Sequence, residues 1–270
     1  MARAASAPCP IFGPFRPFVP FVFFVVLVGG ACSSSAPPAS PTAVTQPSAP
    51  AGGATPRVLM ITTTAGFRHD SIPTARQVMA TLAASTREFS ITATEDLATL
   101  AADNLRGYDV VMFALTSGEL PLAPSQKSAL VDFVSSGHGF IGVHSATDTL
   151  YDWPDYGRLV GAYFRDHPWT QQGTVVVEDA SHPANAGIGD RFSLLEEFYT
   201  FRENPRGRVQ VLLRLDAASV GSTGDYPLAW SQSFGSGRAY YNALGHFSAT
   251  WMDPRFQRQL AGAIRWTASR

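Results

Sequence analysis

Three of the six histidines lie just past short apolar runs: His69 after R-V-L-M-I-T-T-T, His144 after G-F-I-G-V, and His246 after G-R-A-Y-Y-N-A-L. Asp70, Glu119 and Asp148 occupy the same kind of position. Imidazole and carboxylate are the side chains that move protons near neutral pH and that bind divalent ions. Scattered in sequence, such groups converge if the runs are parallel strands, because open parallel sheets bind ligands outside the carboxyl ends of their strands. One chemistry open to the set is general acid/base work by His144 or His246, oriented by Asp70, Asp148 or Glu197. Another is a divalent metal held by two or three histidines and a carboxylate. Convergence alone supports the metal, since neither H-x-x-x-H nor H-x-H spacing occurs. Ring nitrogens of His69, His144 and His246 meeting near one point would favour it.

Other nucleophiles are poorly served. Ser145 follows G-V-H and lacks the G-x-S-x-G spacing of a nucleophile elbow. The two cysteines, Cys9 and Cys32, both precede the folded region, which leaves no thiol there. His138, between Gly137 and Gly139 at the start of its strand, belongs to the opposite end and reads as structural. His167 and His182 each precede a proline, in D-H-P-W and S-H-P-A, and are open to a turn or a site reading.

The elements that must position these groups follow from periodicity. A strand opens the region at Arg57, and Ser71 can cap a helix with Pro73 in its first turn. Ile72, Ala75, Val78, Met79 and Leu82 then fall at helical spacing. Strands are expected at 89–94, 109–115 and 139–145, with a helix over 125–136 that Gly137 ends. Continuous apolar strands alternating with helices predict an α/β fold: a doubly wound, mostly parallel sheet. After residue 173, candidate strands 174–179, 209–215, 226–231 and 237–244 have little helix between them, so the C-terminal half adds antiparallel strands. Asp253 and Pro254 open a last helix with Phe256, Leu260 and Ile264 on one face.

The N-terminus carries a different signal. Arg3 and Arg16, the run F-V-P-F-V-F-F-V-V-L-V and the small residues before Cys32 have the order of a secretory signal peptide over residues 1–31. A small residue just before a cysteine also resembles a lipobox, with Gly29 in place of the usual aliphatic residue. Cys32 is therefore the expected lipidation site and membrane anchor. Residues 32–56 carry no charge and almost no bulky apolar side chain, as a disordered Ser/Ala/Pro tether does. The folded domain is expected over 57–270. Without Arg3 and Arg16 the chain has 18 basic and 21 acidic residues. That balance excludes a nucleic-acid partner, which needs a basic face.

Aromatic residues suggest a ligand class. W-P-D-Y-G at 153–157, Trp169, E-E-F-Y-T-F at 196–201, Trp230 and Trp251 set flat apolar faces beside carboxylates. Sugar rings, with C–H faces and hydroxyl edges, suit such surroundings, although each aromatic taken singly can equally be core.

Six stretches in order, G-F-R-H-D-S-I, G-F-I-G-V-H-S-A-T-D-T, F-R-D-H-P, E-E-F-Y-T-F-R-E-N-P-R, P-L-A-W and G-R-A-Y-Y-N-A-L-G-H, together resemble the ThuA-like (trehalose utilisation) domain. The resemblance runs from about Arg57 to Trp266. It implies a flavodoxin-like fold of the class I glutamine amidotransferase-like superfamily and a link to disaccharide or ketosugar metabolism. Carried over by motif, it implies site positions at His69, His144, Asp148, His167, Glu197, Tyr199 and His246. Where many members carry Asp-Glu and Trp-Tyr, this chain has Glu196, Glu197, Phe198 and Tyr199, which alters the pocket wall. The amidotransferase cysteine is missing, so glutamine hydrolysis is not expected.

The sequence thus supports an envelope-anchored protein that processes or binds a disaccharide or ketosugar. In an enzyme (hydrolase, lyase or isomerase) His144, His246, Glu197 and Asp148 would be catalytic. His69, Asp70, His167, Tyr199 and Trp230 would contact substrate. A surface carbohydrate-binding module and a metal-dependent hydrolase are the alternatives on the same residues.

Overall fold

The computed structural model describes residues 55–269. The expected signal segment, Cys32 and all but the end of the tether lie outside the described residues. In chain order the elements are β1 (Arg57–Ile61), α1 (Ile72–Thr86), β2 (Ser90–Thr94), α2 (Ala102–Leu105), β3 (Val110–Ala114), α3 (Pro124–Ser135), β4 (Gly139–Val143), α4 (Pro154–Val160), β5 (Phe164–Val177), β6 (Arg191–Phe201), β7 (Gln210–Leu215), β8 (Pro227–Phe234), β9 (Gly237–Asn242), α5 (Ser248–Met252) and α6 (Pro254–Ala268). Among the described residues no helix is long and apolar enough to cross a membrane.

All nine strands form one sheet in the order β2-β1-β3-β4-β9-β8-β7-β5-β6. The first five are parallel, in the 2-1-3-4-5 order of a flavodoxin-like sheet with β9 as the fifth strand. The remaining four pair antiparallel. Val58–Ile61, Val110–Ala114 and Gly139–Val143 are buried at every position. A strand can be so only with both faces covered. Two groups of helices supply the cover: α1, α5 and α6 pack together, as do α2, α3 and α4. Helix α6 starts as expected, with Asp253 Oδ1 accepting a hydrogen bond from the Arg255 N–H and with Phe256, Leu260 and Ile264 buried.

Parallel register decides what meets at the sheet end. Ile61 lies beside Phe113, Ala114 beside Val143, and Val143 beside Asn242. The segments that follow β1, β3, β4 and β9 therefore leave the sheet side by side.

Several expectations need correction. Ser71 does not cap α1; its backbone is already helical, and its Oγ instead donates toward the Gly245 carbonyl at 3.4 Å. The strand expected at 174–179 begins ten residues earlier, at Phe164. Its partner β6 was not expected as a strand, nor α4 as a helix. β5 pairs with β7 only through Val175–Val177, while its first part pairs with β6 alone. That part is a two-stranded ribbon whose residues are mostly exposed and polar, with only Phe164 and Trp169 packed against the core, and so carries no strand-like alternation.

Candidate functional site

The chain leaves β4 through His144, whose φ of 52° lies in the left-handed region, and turns into a short 3-10 helix over His144–Asp148. A residue with a Cβ costs about 1–3 kcal/mol in such a conformation, and packing must hold it there. The strand-to-helix elbow sought for a serine thus exists, but it carries a histidine. The His144 ring is fully buried. Its Nδ1 lies 2.8 Å from the Ala243 carbonyl oxygen, which can only accept, so Nδ1 holds the proton and Nε2 presents a lone pair. Burial, with His69 alongside, keeps the ring's pKa well below the usual histidine range. Around Nε2 stand the Tyr199 hydroxyl at 2.8 Å, His69 Nε2 at 3.1 Å and Glu197 Oε2 at 3.7 Å.

His69 arrives on the loop after β1. A bridge between Thr64 and Ser117, with the Ala65 N–H donating to the Ser117 carbonyl at 2.8 Å, ties this loop to the one after β3. Gly118 permits the approach: its φ is +73°, and a Cβ there would stand 2.7 Å from the backbone nitrogen of Gly66. His69 is buried and its Nδ1 has no hydrogen-bond partner. Burial first, then the neighbouring His246, lowers its pKa to about 4, so the ring is neutral at pH 7.

The β5–β6 ribbon delivers the carboxylate. Glu197 Oε2 lies 2.9 Å from His246 Nδ1, and Oε1 lies 3.7 Å from Nδ1 of His167, a half-exposed residue at the irregular register of β5. The His246 ring does not align with the oxygen, so that nitrogen has no hydrogen-bond partner despite the short distance. Burial pushes the Glu197 pKa up, but His246, His167 and His69 outweigh it, and the carboxyl stays below its ordinary value. One donor atom each from His69, His144, Glu197 and His246 fall within 4.8 Å of one another. Among the described residues these four form the group able to hold a metal.

The other expected residues are placed as follows. Tyr199 is in the cluster through His144. Asp148 stands apart from the four donors and accepts a hydrogen bond from the Tyr151 hydroxyl at 2.7 Å; burial raises its pKa. Asp70 is exposed at the rim. Trp230 does not contact substrate space: it is buried, donates from Nε1 to the Val160 carbonyl at 2.9 Å, and packs on Tyr241 and Phe201. A tryptophan in a strand next to polar residues does not reveal which face it takes. His138 sits on Phe133 at the far end, and His182 accepts from the Ala184 N–H within a turn.

Glu196 is the functional residue that the sequence reading passed over. It is fully buried and accepts four hydrogen bonds, from the N–H groups of Glu197, Gly245 and His246 and from the Thr250 hydroxyl. Burial raises its pKa to about 6 against these bonds. The signal was available in β6: alternation puts Glu196 on the face of Phe192 and Leu194, opposite Glu197.

A cavity of 540 Å³ lies beside Tyr163, Arg202 and Gln232, and another of 210 Å³ has Tyr199, Arg165 and Arg202 in its wall. Neither is lined by His69, His144 or His246. Phe67 packs edge-on beside His69 and Phe247 beside His246.

Residues 57–267 match the family model described as ThuA, trehalose utilisation. Among solved structures the chain is similar to a ThuA-like protein from Bacteroides uniformis at 22% identity and a TM-score of 0.67, covering 82% of this chain and 95% of that one. A ThuA-like protein from Parabacteroides merdae gives 17% identity and a TM-score of 0.65, covering 79% and 90%. A GMP synthase protein from Thermoplasma acidophilum gives 8% and 0.51, covering 80% and 96%, a likeness of fold alone. No curated protein sequence matches.

Proposed function

The chain belongs to the ThuA, trehalose utilisation, family, and from that premise we propose that it is an enzyme acting on a disaccharide or ketosugar at the His–Glu cluster. The observation that carries the reading is Glu197: a buried carboxylate within 3.7 Å of three histidine rings, at the carboxyl end of a parallel sheet. A carboxylate kept ionised in that setting is a base, and His246 and His167, both partly open to solvent, can exchange its proton. His69 and His144, neutral, form the inner wall, where His144 Nε2 can accept from a hydroxyl and His69 can bond a hydroxyl or carbonyl oxygen. Phe67, 63% exposed, offers an apolar face to a sugar ring at the rim.

Glutamine amidotransfer is not part of the proposal, because no cysteine follows Cys32 and the elbow residue is His144. The order of residues 1–56 supports an exported chain anchored to a membrane at Cys32, and we include that location in the reading.

Product analysis with a panel of disaccharides and 3-keto-disaccharides tests it, with wild type beside Glu197→Gln. Turnover is expected for at least one sugar, and its loss by about 10²-fold or more in the variant. Binding without turnover would reduce the protein to a carbohydrate-binding module. Absence of binding to any sugar would remove the substrate class.

A further inference from the structure

Two close approaches in the cluster are unsatisfactory as hydrogen bonds. The Nδ1 proton of His144 is committed to Ala243, so Nε2 has one lone pair. Both the Tyr199 hydroxyl, at 2.8 Å, and His69 Nε2, at 3.1 Å, converge on it. His246 Nδ1 and Glu197 Oε2, meanwhile, stand 2.9 Å apart with no hydrogen bond between them. Nδ1 of His69, a residue 5% exposed, is also without a partner. Buried polar atoms are nearly always paired, so two orphaned imidazole nitrogens and one over-subscribed lone pair in a single cluster require an explanation.

A shared ion accounts for two of these: the approach of His69 Nε2 to His144 Nε2 and the unpaired Nδ1 of His246 beside Glu197. Donors that each lie about 2.0–2.2 Å from one metal are held roughly 3–4 Å from each other, whether or not they could hydrogen-bond. Three of the separations, 2.9, 3.1 and 3.7 Å, have about that size, and all four donors lie within 4.8 Å of one another. We propose that His69, His144, Glu197 and His246 bind one divalent first-row transition ion. Three imidazole nitrogens and one carboxylate oxygen favour ions of the zinc type over Mg²⁺ or Ca²⁺, which take oxygen ligands. The surroundings support the ligands as metal sites require: His144 donates its second N–H to the Ala243 carbonyl, and Glu196 holds the main chain at His246. With the ion bound, Glu197 and His246 serve as its ligands in place of base and proton carrier; which sugar, if any, is turned over does not enter the inference.

The test uses the full chain, without a polyhistidine tag, stripped with a chelator and titrated with Zn²⁺, Co²⁺ or Mn²⁺ by calorimetry and elemental analysis. Mg²⁺ and Ca²⁺ are controls. One Zn²⁺ per chain is expected, together with visible d–d absorption in the Co²⁺ form. His246→Gln and Glu197→Gln, each verified as folded by circular dichroism, should weaken binding by about 10-fold or more. These two are used because His144 is fully buried at a left-handed elbow, where a substitution would disturb the fold as well as the site. A folded wild type that binds no transition ion, or binds it no better than Mg²⁺, overturns the proposal. So does unchanged affinity in both folded variants. None of these readouts involves a sugar, so failure of the metal and failure of the sugar reading are separate results.

Discussion

Glu196 grips His246 by its main chain and leaves the ring free. The His246 N–H donates to Glu196 Oε1 at 3.1 Å, while Gly245 N–H and the Thr250 hydroxyl bind Oε2 at 2.9 and 2.7 Å. Adjacent glutamates on one strand thus divide the labour: Glu197 meets the His246 ring and Glu196 fixes the loop that carries it. In Glu196→Gln an amide NH₂ must face donors, leaving buried N–H or O–H groups unsatisfied. The expected loss is about 2 kcal/mol or more by urea denaturation, with Zn²⁺ affinity lowered about 10-fold. Unchanged stability and unchanged affinity would remove its positioning role.

His167 is half-exposed on an irregular stretch of β5 and reaches the four donors through Glu197, at 3.7 Å, with its ring also beside Tyr199. His167→Ala should leave stability within about 0.5 kcal/mol and Zn²⁺ stoichiometry intact. Its kcat on a sugar that the disaccharide panel shows to be turned over should fall by about 10²-fold, with a changed pH profile. An unaltered kcat would show that this ring moves no proton in the reaction.

Trp230 is core, so its indole N–H serves the Val160 carbonyl and not a ligand. Trp230→Phe strands that buried carbonyl and is expected to cost about 1–3 kcal/mol. Sugar KM and Zn²⁺ affinity should not move. A raised KM in a variant of wild-type stability would return Trp230 to the substrate.

Arg87 ends α1 at φ 59° with its N–H donating to the Ala83 carbonyl, a position that favours glycine. Its side chain is exposed. Arg87→Gly relieves the left-handed strain and should stabilise the protein by about 0.5–1 kcal/mol. A lowered thermal midpoint would contradict this.

Arg206 bridges Glu178 and Asp225 at 2.7 Å each, on the surface. Arg206→Ala should cost about 1 kcal/mol at pH 7 and less in high salt, since solvent screens the network. Its pH dependence has a definite sign. The Arg206 hydrogen bond lowers the Asp225 pKa, so the stabilisation is present above the unfolded value of about 3.9 and is lost as pH falls through the folded value. Urea titrations of both proteins should therefore converge at low pH. A gap as wide in acid as at pH 7 would exclude the carboxylate as its source.

Much of this arrangement was legible in the residues themselves. Val58–Ile61, Val110–Ala114 and Gly139–Val143 read as buried parallel strands because covering both faces leaves no polar positions in them. The convergence of His69, His144 and His246 followed, since residues just past parallel strands share one end of the sheet. Glu197 was singled out as a carboxylate that could orient a histidine and, with Tyr199, by family resemblance, but the ribbon that presents them was invisible: residues 164–173 are mostly exposed and show no period. Glu196 was missed because identity alone does not separate two neighbouring glutamates; only the pleat does. Trp230 was misplaced for the same reason, a strand's facing being set by register and not by residue type.

The four cluster donors come from four separate elements of the chain, with His69 and His246 at the extremes. A peptide with closely spaced histidines can seize an ion as it leaves the ribosome. This chain has no such affinity until the parallel strands, the ribbon and the loop after β9 have all docked. Metal capture would therefore take place wherever folding is completed. For an exported protein, as residues 1–31 lead us to propose, that completes its folding only after crossing the membrane, the ion supply outside that membrane, not the cytosolic pool, would decide which metal it carries.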